Sequence, residues 1–362
     1  MDFMLDKEHK LLATMFREFA DNEVKPLAKK VDEEERFPEE TVRKLARYGF
    51  MGIPFPKEWE GSGGDNLAYA MAVETISSVC GTTGVVLSAH SSLCAAPIYE
   101  FGNDDQKRRY LPDLASGRKL GAFGLTEPNA GTDAAGQQTS AELKGSHYLL
   151  NGSKIFITNA GPADIYIVFA MTDRSKGTRG ISAFILEKGM PGFSIGKKEE
   201  KMGIRGSSTC ELIFENVEVP AANLLGKEGG GFGVAMKTLD GGRIGIAAQA
   251  LGLAQGALSE TVAYVKERKQ FGKPIASFQN TQFQLADMQA KVDAARLLVY
   301  RAACLKDAKQ PYSVEAATAK LFASEVAMEV TTKAVQLHGG YGYTREYPVE
   351  RMMRDAKITE IY

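Results

Sequence analysis

Thr126, Thr132, Phe156 and Thr158 have the residue types that binding of a polar ligand requires. They lie in one stretch, LGAFGLTEPNAGTDAAGQQTSAELKGSHYLLNGSKIFITNAGPA (120–163), and fall at the ends of neighbouring predicted strands. Threonine hydroxyls and strand-end amides can bind the ring nitrogens and carbonyls of a flat cofactor, with the Phe156 ring against its face. Glycine admits close backbone approach in the same stretch. Ordinary turn chemistry is the competing reading. The segment Glu127–Asp133 is more turn-like than metal-like, because no second acidic loop supports a cation.

Three further groupings lie downstream. Arg243 in LDGGRIG follows Asp240 by one short turn, which suits a local ion pair or an arginine aimed at a phosphate. Arg268 and Phe271 in ERKQFGKP join a guanidinium to an aromatic ring at a helix break, a pairing for adenine or diphosphate, or simply a helix end. The run Gln336-Leu337-His338-Gly339-Gly340-Tyr341-Gly342-Tyr343 closes a long helix with glycines that can stop it or admit a ligand. The glycines of GKEGGGFG (226–233) mimic dinucleotide spacing but follow a loop without a βαβ frame, so they read as linker and helix start.

Composition narrows the classes. The 362 residues are 44% hydrophobic and 25% charged with a formal net charge of −1, which favours no nucleic-acid partner. Cys80, Cys94, Cys210 and Cys304 form no C-x-x-C pair, and His9, His90, His147 and His338 have no metal-ligand spacing, so no metal is expected. The opening MDFMLDKEHK is neither signal nor transit sequence. The most apolar run, 81–99, is broken by polar residues and Pro97, so no membrane insertion is expected. The expected location is the cytoplasm.

The elements that must position these residues change period twice. Residues 5–30 carry Leu5, Leu12, Phe16, Phe19 and Leu27 at helical spacing with Asp6 as a cap. FPEETVRKLARYGF is a second helix that stops at Gly49. Helices are also predicted over 67–79, 84–101 and 105–115. From 119 the pattern becomes strand-like: LGAFGLT, SAELK, HYLLNGSKIFIT, DIYIVFAMT, ISAFILE, GFSIGKKEE and TCELIFENVEVP. Asn151-Gly152 is the strongest hairpin signal. No helix of ten residues separates the strands, which predicts an antiparallel barrel or sandwich. After about 230, long helices return, with small residues along the first and a stripe of Phe283, Ala286, Ala290, Val292, Ala294, Leu297 and Leu298 on the second. The fold class is α+β: an N-terminal helical domain (1–118), a central antiparallel β-barrel or sandwich domain (119–229) and a C-terminal helical bundle (230–362).

Read together, AFGLTEPNAGTDAAG, NGSKIFITNAG, LDGGRIGIAAQALG, ERKQFGKPI, FQNTQFQLADM, QLHGGYGYTREYPVERMMRDAKI and TEIY resemble the flavin-dependent acyl-CoA dehydrogenases over nearly the whole chain. The likeness is strongest to the bacterial short-chain, butyryl-CoA-type enzymes of anaerobes. The resemblance implies FAD, an acyl-CoA or enoyl-CoA substrate, electron exchange with electron-transferring flavoprotein, and a homotetramer. It implies that Phe123, Leu125, Thr126, Thr132, Phe156, Ile157 and Thr158 hold the flavin. It also implies that Arg268, Phe271, Gln279, Gln336, Leu337, His338, Gly339 and Gly340 clasp the adenosine half of a neighbouring subunit's FAD. Leu239, Asp240 and Arg243, with Thr132, would face the CoA substrate. In the family a glutamate takes the α-proton while a β-hydride moves to flavin N5, and hydrogen bonds hold the thioester oxygen as charge develops there.

That base follows the tyrosine matching Tyr362, where the present sequence ends, so it is expected beyond Tyr362 and the bundle is expected to stop short of the catalytic segment. The family's alternative base position falls at Gly242, which has no side chain, and Glu360 lies two residues before the expected place. Competing readings are a dehydrogenase or reductase of an aryl-acrylyl, glutaryl or other unusual CoA ester, an acyl-CoA oxidase, and a non-catalytic FAD- or CoA-binding subunit.

Overall fold

The computed structural model describes residues 4–362; Met1, Asp2 and Phe3, part of the amino-terminal stretch read above, lie outside them. Among the described residues seven α-helices precede the sheet: α1 (Lys7–Phe19), α2 (Lys25–Glu33), α3 (Glu39–Arg47), α4 (Asn66–Ser77), α5 (Gly81–Ser88), α6 (Ala96–Phe101) and α7 (Asp104–Ala115). Asp6 caps α1 as expected, its carboxylate accepting from the His9 amide at 2.9 Å. Gly49 ends the turn after α3 at φ +77°. The predicted helix over 84–101 is interrupted by a π-helical segment, Ala89–Ala95, which carries His90.

Eight strands follow: β1 (Gly121–Gly124), β2 (Ser140–Lys144), β3 (His147–Ile157), β4 (Ile165–Met171), β5 (Ile181–Glu187), β6 (Phe193–Lys198), β7 (Cys210–Pro220) and β8 (Leu224–Leu225). They pair in the order β6-β7-β3-β2-β4-β5-β8, with β1 on β4. The path is open, so the sandwich forms rather than the barrel. Along β4, Ile165, Ile167 and Phe169 face α6 and α7. Tyr166, Val168 and Ala170 face Leu150 of β3 and Leu212, Phe214 and Val217 of β7. That alternation gives β4 two buried faces. Most pairs are antiparallel, but β1 and β2 each run parallel to β4. The long excursion between β1 and β4 provides the crossover that parallel pairing needs.

Asn151-Gly152 does not turn the chain. β3 continues through it, paired with β2 on one side and β7 on the other, with a register shift between Leu150 and Gly152. Gly152 sits at φ +140°, and a Cβ there would lie 2.6 Å from the Thr139 hydroxyl. The dipeptide makes a bulge, because both strand edges are already occupied and a turn would break both ladders. The tight turn lies instead at Gly145-Ser146, between the paired Lys144 and His147.

The bundle consists of α8 (Gly231–Glu267), α9 (Gln279–Asp307), α10 (Ser313–His338) and α11 (Val349–Ile361), with the two-residue strands β9 (Lys269–Gln270) and β10 (Lys273–Pro274) between α8 and α9. The glycines of α8 let α4 approach: a Cβ on Gly252 would lie 2.2 Å from the Glu74 carbonyl oxygen, and one on Gly256 2.0 Å from that of Ser78. Of the predicted stripe on α9, Val292 is buried and Leu298 packs half-buried against the core, but Phe283, Ala286, Ala290, Ala294 and Leu297 are exposed. Thr281, Met288, Val292, Ala295, Val299 and Ala302 are buried, whereas Phe283 is 62% and Leu297 49% exposed. The buried set keeps the 3.6-residue period, and the stripe had mixed two faces. Arg354 ties α11 to α2 through Asp32 (2.7 Å), and Asp355 accepts from the Ile204 amide at 2.5 Å. Among the described residues no helix is long and apolar enough to cross a membrane.

Candidate functional site

The end of β1 and the last turn of β3 bring the first group together. The Ile155 amide donates to the Thr126 carbonyl at 2.9 Å, which sets Thr126 beside Ile155-Phe156. A second register shift in β3, between Lys154 and Ile157, accompanies φ +59° at Phe156. In an unbroken strand residues 154 and 156 share a face; here Lys154 and Ile157 point inward and Phe156 stands 60% exposed. Thr158 follows at once. Phe123 is half-buried, its ring edge-on to Phe169 at 5.1 Å. Leu125 and Ile157 bury their side chains.

A buried polar knot lies beneath these residues. Lys154 is fully buried, and its Nζ donates to Glu127 Oε1 at 2.7 Å, to the Leu125 carbonyl at 3.1 Å and to Gln137 Oε1 at 3.1 Å. The Glu127 carboxylate also accepts from the Gln138 and Thr139 amides. Burial pushes the Lys154 ammonium down to about 8, against the pull of Glu127. For Glu127, burial acts upward but Lys154 and the amide donors outweigh it, leaving the carboxyl below its usual range. The knot closes the loop between Leu125 and Gln137, and Thr132 is exposed within it.

The second group surrounds a cleft of about 540 Å³ lined by Arg268, Gln270, Tyr341 and the run Gln336–Gly340. Arg268 follows the last residue of α8, with its guanidinium 5.4 Å from the centre of the Tyr341 ring. Gly339, at φ +63°, ends α10, and a Cβ on it or on Gly340 would meet nothing within 4 Å. The glycines thus stop the helix and leave room. The His338 side chain turns away, stacked on Tyr264 at 4.2 Å with Nδ1–H donating to the Ala334 carbonyl at 2.8 Å, so its part in the cleft is its backbone. Phe271 (93% exposed) and Gln279 do not line the cleft, and neither do the residues around Thr126.

The third group lies on α8. Asp240 and Arg243 form the local ion pair. Leu239 packs toward the cluster between β4 and α7. A Cβ on Gly242 would lie 2.7 Å from Leu93 of the π-helical segment. Two turns beyond Gly242, Gln249 donates to the Gly81 carbonyl and accepts from the Tyr362 hydroxyl, which anchors the end of α11 to this helix.

Sequence reasoning missed Lys154 and His90. Lys154 occupies an inward position in an apolar strand, and a lysine there is a signal for a buried partner. His90 carried none. It is fully buried, donating from Nε2 to the Leu114 carbonyl (2.9 Å) and accepting at Nδ1 from the Gly121 amide (3.0 Å), which fixes where β1 begins.

Three family profiles match the chain: acyl-CoA dehydrogenase N-terminal domain over 6–118, middle domain over 122–217 and C-terminal domain over 229–362. The chain is 65% identical over 362 residues to a short-chain specific acyl-CoA dehydrogenase of Clostridium acetobutylicum, covering 100% of this chain and 96% of that protein. It resembles the solved butyryl-CoA dehydrogenase of Megasphaera elsdenii with a TM-score of 0.98 and 55% identity, covering 100% and 96% of the two chains. It also resembles a chain solved with the subject "electron transferring flavoprotein of Acidaminococcus fermentans" and flavin-based electron bifurcation. There the TM-score is 0.99 and the identity 59%, covering 100% and 95%.

Proposed function

The chain belongs to the acyl-CoA dehydrogenase family, and from that premise we propose that it is an FAD-dependent short-chain acyl-CoA dehydrogenase. It interconverts a butyryl-CoA-like thioester and its trans-2-enoyl-CoA and exchanges electrons with electron-transferring flavoprotein. The observation that carries the reading is the outward Phe156 ring, next to the Ile155 amide that holds the Thr126 carbonyl and two residues before Thr158, on the strand end that carries the buried Lys154–Glu127 pair. A flat, polar-edged cofactor needs that combination of one aromatic face and hydroxyls at its rim.

In this reading Thr126, Thr158, Phe156 and Phe123 would hold the flavin, the hydroxyls at its polar edge and the rings against it, with Leu125 and Ile157 contributing backbone groups. Thr132 serves the diphosphate and substrate side. Arg268, Phe271, Gln279 and Gln336–Gly340 would hold the adenosine half of a neighbouring subunit's FAD, which would account for a cleft set apart from Thr126 within one chain. FAD, when bound, accepts the hydride that leaves the β-carbon. Leu239, Asp240 and Arg243 orient the CoA thioester, Arg243 exchanging its carboxylate partner for a phosphate where the substrate binds. The α-proton passes to a carboxylate placed directly after Tyr362, whose hydrogen bond to Gln249 holds that end of the chain on α8. The assembly is a homotetramer, the location the cytoplasm, and the three units divide at 118/119 and 229/230.

The test is anaerobic titration with butyryl-CoA, on the chain extended past Tyr362 with its native sequence and on the chain ending there. Bleaching of the flavin absorbance in the extended protein alone is expected. A colourless protein that FAD cannot reconstitute refutes the flavoenzyme. An aryl or dicarboxylic CoA ester that bleaches it far faster than butyryl-CoA refutes the substrate.

A further inference from the structure

Strand alternation asks for an apolar residue at position 154, between the inward Leu150 and Ile157, yet a lysine stands there with its charge fully buried. A buried ion pair is weak support for stability, since well-packed apolar residues of equal volume often serve as well. Its geometry shows what else it does. The three acceptors on Nζ come from both ends of one loop: the Leu125 carbonyl and Glu127 at the start, Gln137 at the finish. Glu127 in turn gathers the Gln138 and Thr139 amides. Ile155, next to Lys154, grips the Thr126 carbonyl, and the bulge that follows turns Phe156 outward.

Resting on the functional reading above, we propose that Lys154 is a positioning residue for the flavin site, its ammonium clamping the 125–137 loop onto β3 so that Thr126, Phe156 and Thr158 share one register. Nothing about Lys154 requires contact with the cofactor. The clamp acts through the loop backbone: without it the Leu125 carbonyl and the Glu127 carboxylate lose their shared donor, and Thr126 keeps only its bond to Ile155. An apolar side chain at 154 can fill the same space but cannot hold the loop.

The experiment compares wild type, Lys154→Met and Gln137→Met. Flavin-stripped protein is titrated with FAD and followed by flavin fluorescence, with thermal midpoints of apo and reloaded protein and the absorption spectrum of the bound flavin. Lys154→Met is expected to raise the FAD Kd by about tenfold or more and to alter the fine structure of the flavin band, while the apoprotein still melts cooperatively. Gln137→Met removes the third acceptor, together with the amide's own bond to the Ala134 carbonyl within the loop, and about a threefold rise in Kd at an unchanged apo midpoint is expected. If Lys154→Met does not fold, Gln137→Met decides. FAD affinity and spectrum equal to wild type in a folded Lys154→Met protein, or in Gln137→Met where that one must decide, overturn the proposal. A wild-type protein that takes up no FAD overturns the functional reading, and this inference with it.

Discussion

Acid is expected to weaken this protein through His90 as the pH falls from about 6.5 toward about 4. The ring is fully buried, and burial lowers its pKa to about 4. Its neutral form is also the form the fold uses, since Nδ1 must accept from the Gly121 amide while Nε2–H donates to the Leu114 carbonyl. In the unfolded chain the ring titrates near its ordinary 6.5, so between about 6.5 and about 4 the unfolded state binds the proton and the native state does not. The contribution is therefore complete above 6.5 and is lost progressively as pH falls toward 4. The gap of about 2.5 pH units corresponds to about 3.4 kcal/mol in all, of which about 2 kcal/mol has gone by pH 5. The assay is denaturant unfolding of wild type and His90→Gln at several pH values from about 7.5 to about 5, taking the difference between the two. That subtraction cancels the other histidines and the carboxylates. His90→Gln is expected to be less stable at neutral pH but to lose about 2 kcal/mol less than wild type on going to pH 5. Parallel losses in the two proteins would refute the argument, because His90 would then take up its proton equally in both states.

Two further outcomes are expected. Gly256→Ala places a methyl 2.0 Å from the Ser78 carbonyl oxygen and should cost about 3 kcal/mol or more in denaturant unfolding, whereas Gly233→Ala, with nothing within 4 Å, should gain roughly 0.5–1 kcal/mol; equal shifts would show that α4 does not press on α8 as described. Phe156→Ala, at an exposed position, should change stability by no more than about 1 kcal/mol and raise the FAD Kd about tenfold in a fluorescence titration, a result that unchanged binding would contradict.

The order of helical, strand-like and helical regions was legible because period is a local property of the chain. Asp6, Gly49 and the glycines of α8 could each be read from a cap, a stop or a small-residue face. The Asn151-Gly152 bulge and the buried face of α9 could not. A dipeptide that favours a turn yields to pairing on both strand edges, and the inward face of a helix is chosen by the helices that pack on it. Thr126, Phe156 and Thr158 stood out by type and position, and the Ile155–Thr126 hydrogen bond sets Thr126 beside Phe156. The link between Lys154 and Glu127 spans 27 positions, and its members have no periodic relation.

By itself, then, the sequence determined the family, the α+β division and which side chains are candidates for a flavin and a thioester, since these follow from motif order and local spacing. Only the tertiary structure decided that Phe156 faces outward, that Gly339 and Gly340 border an open cleft while His338 turns inside, and that Lys154 closes the loop carrying Thr132. Each of those depends on which distant backbone arrives at a given strand edge or helix end, and burial and hydrogen-bond geometry settle that only once the chain has packed.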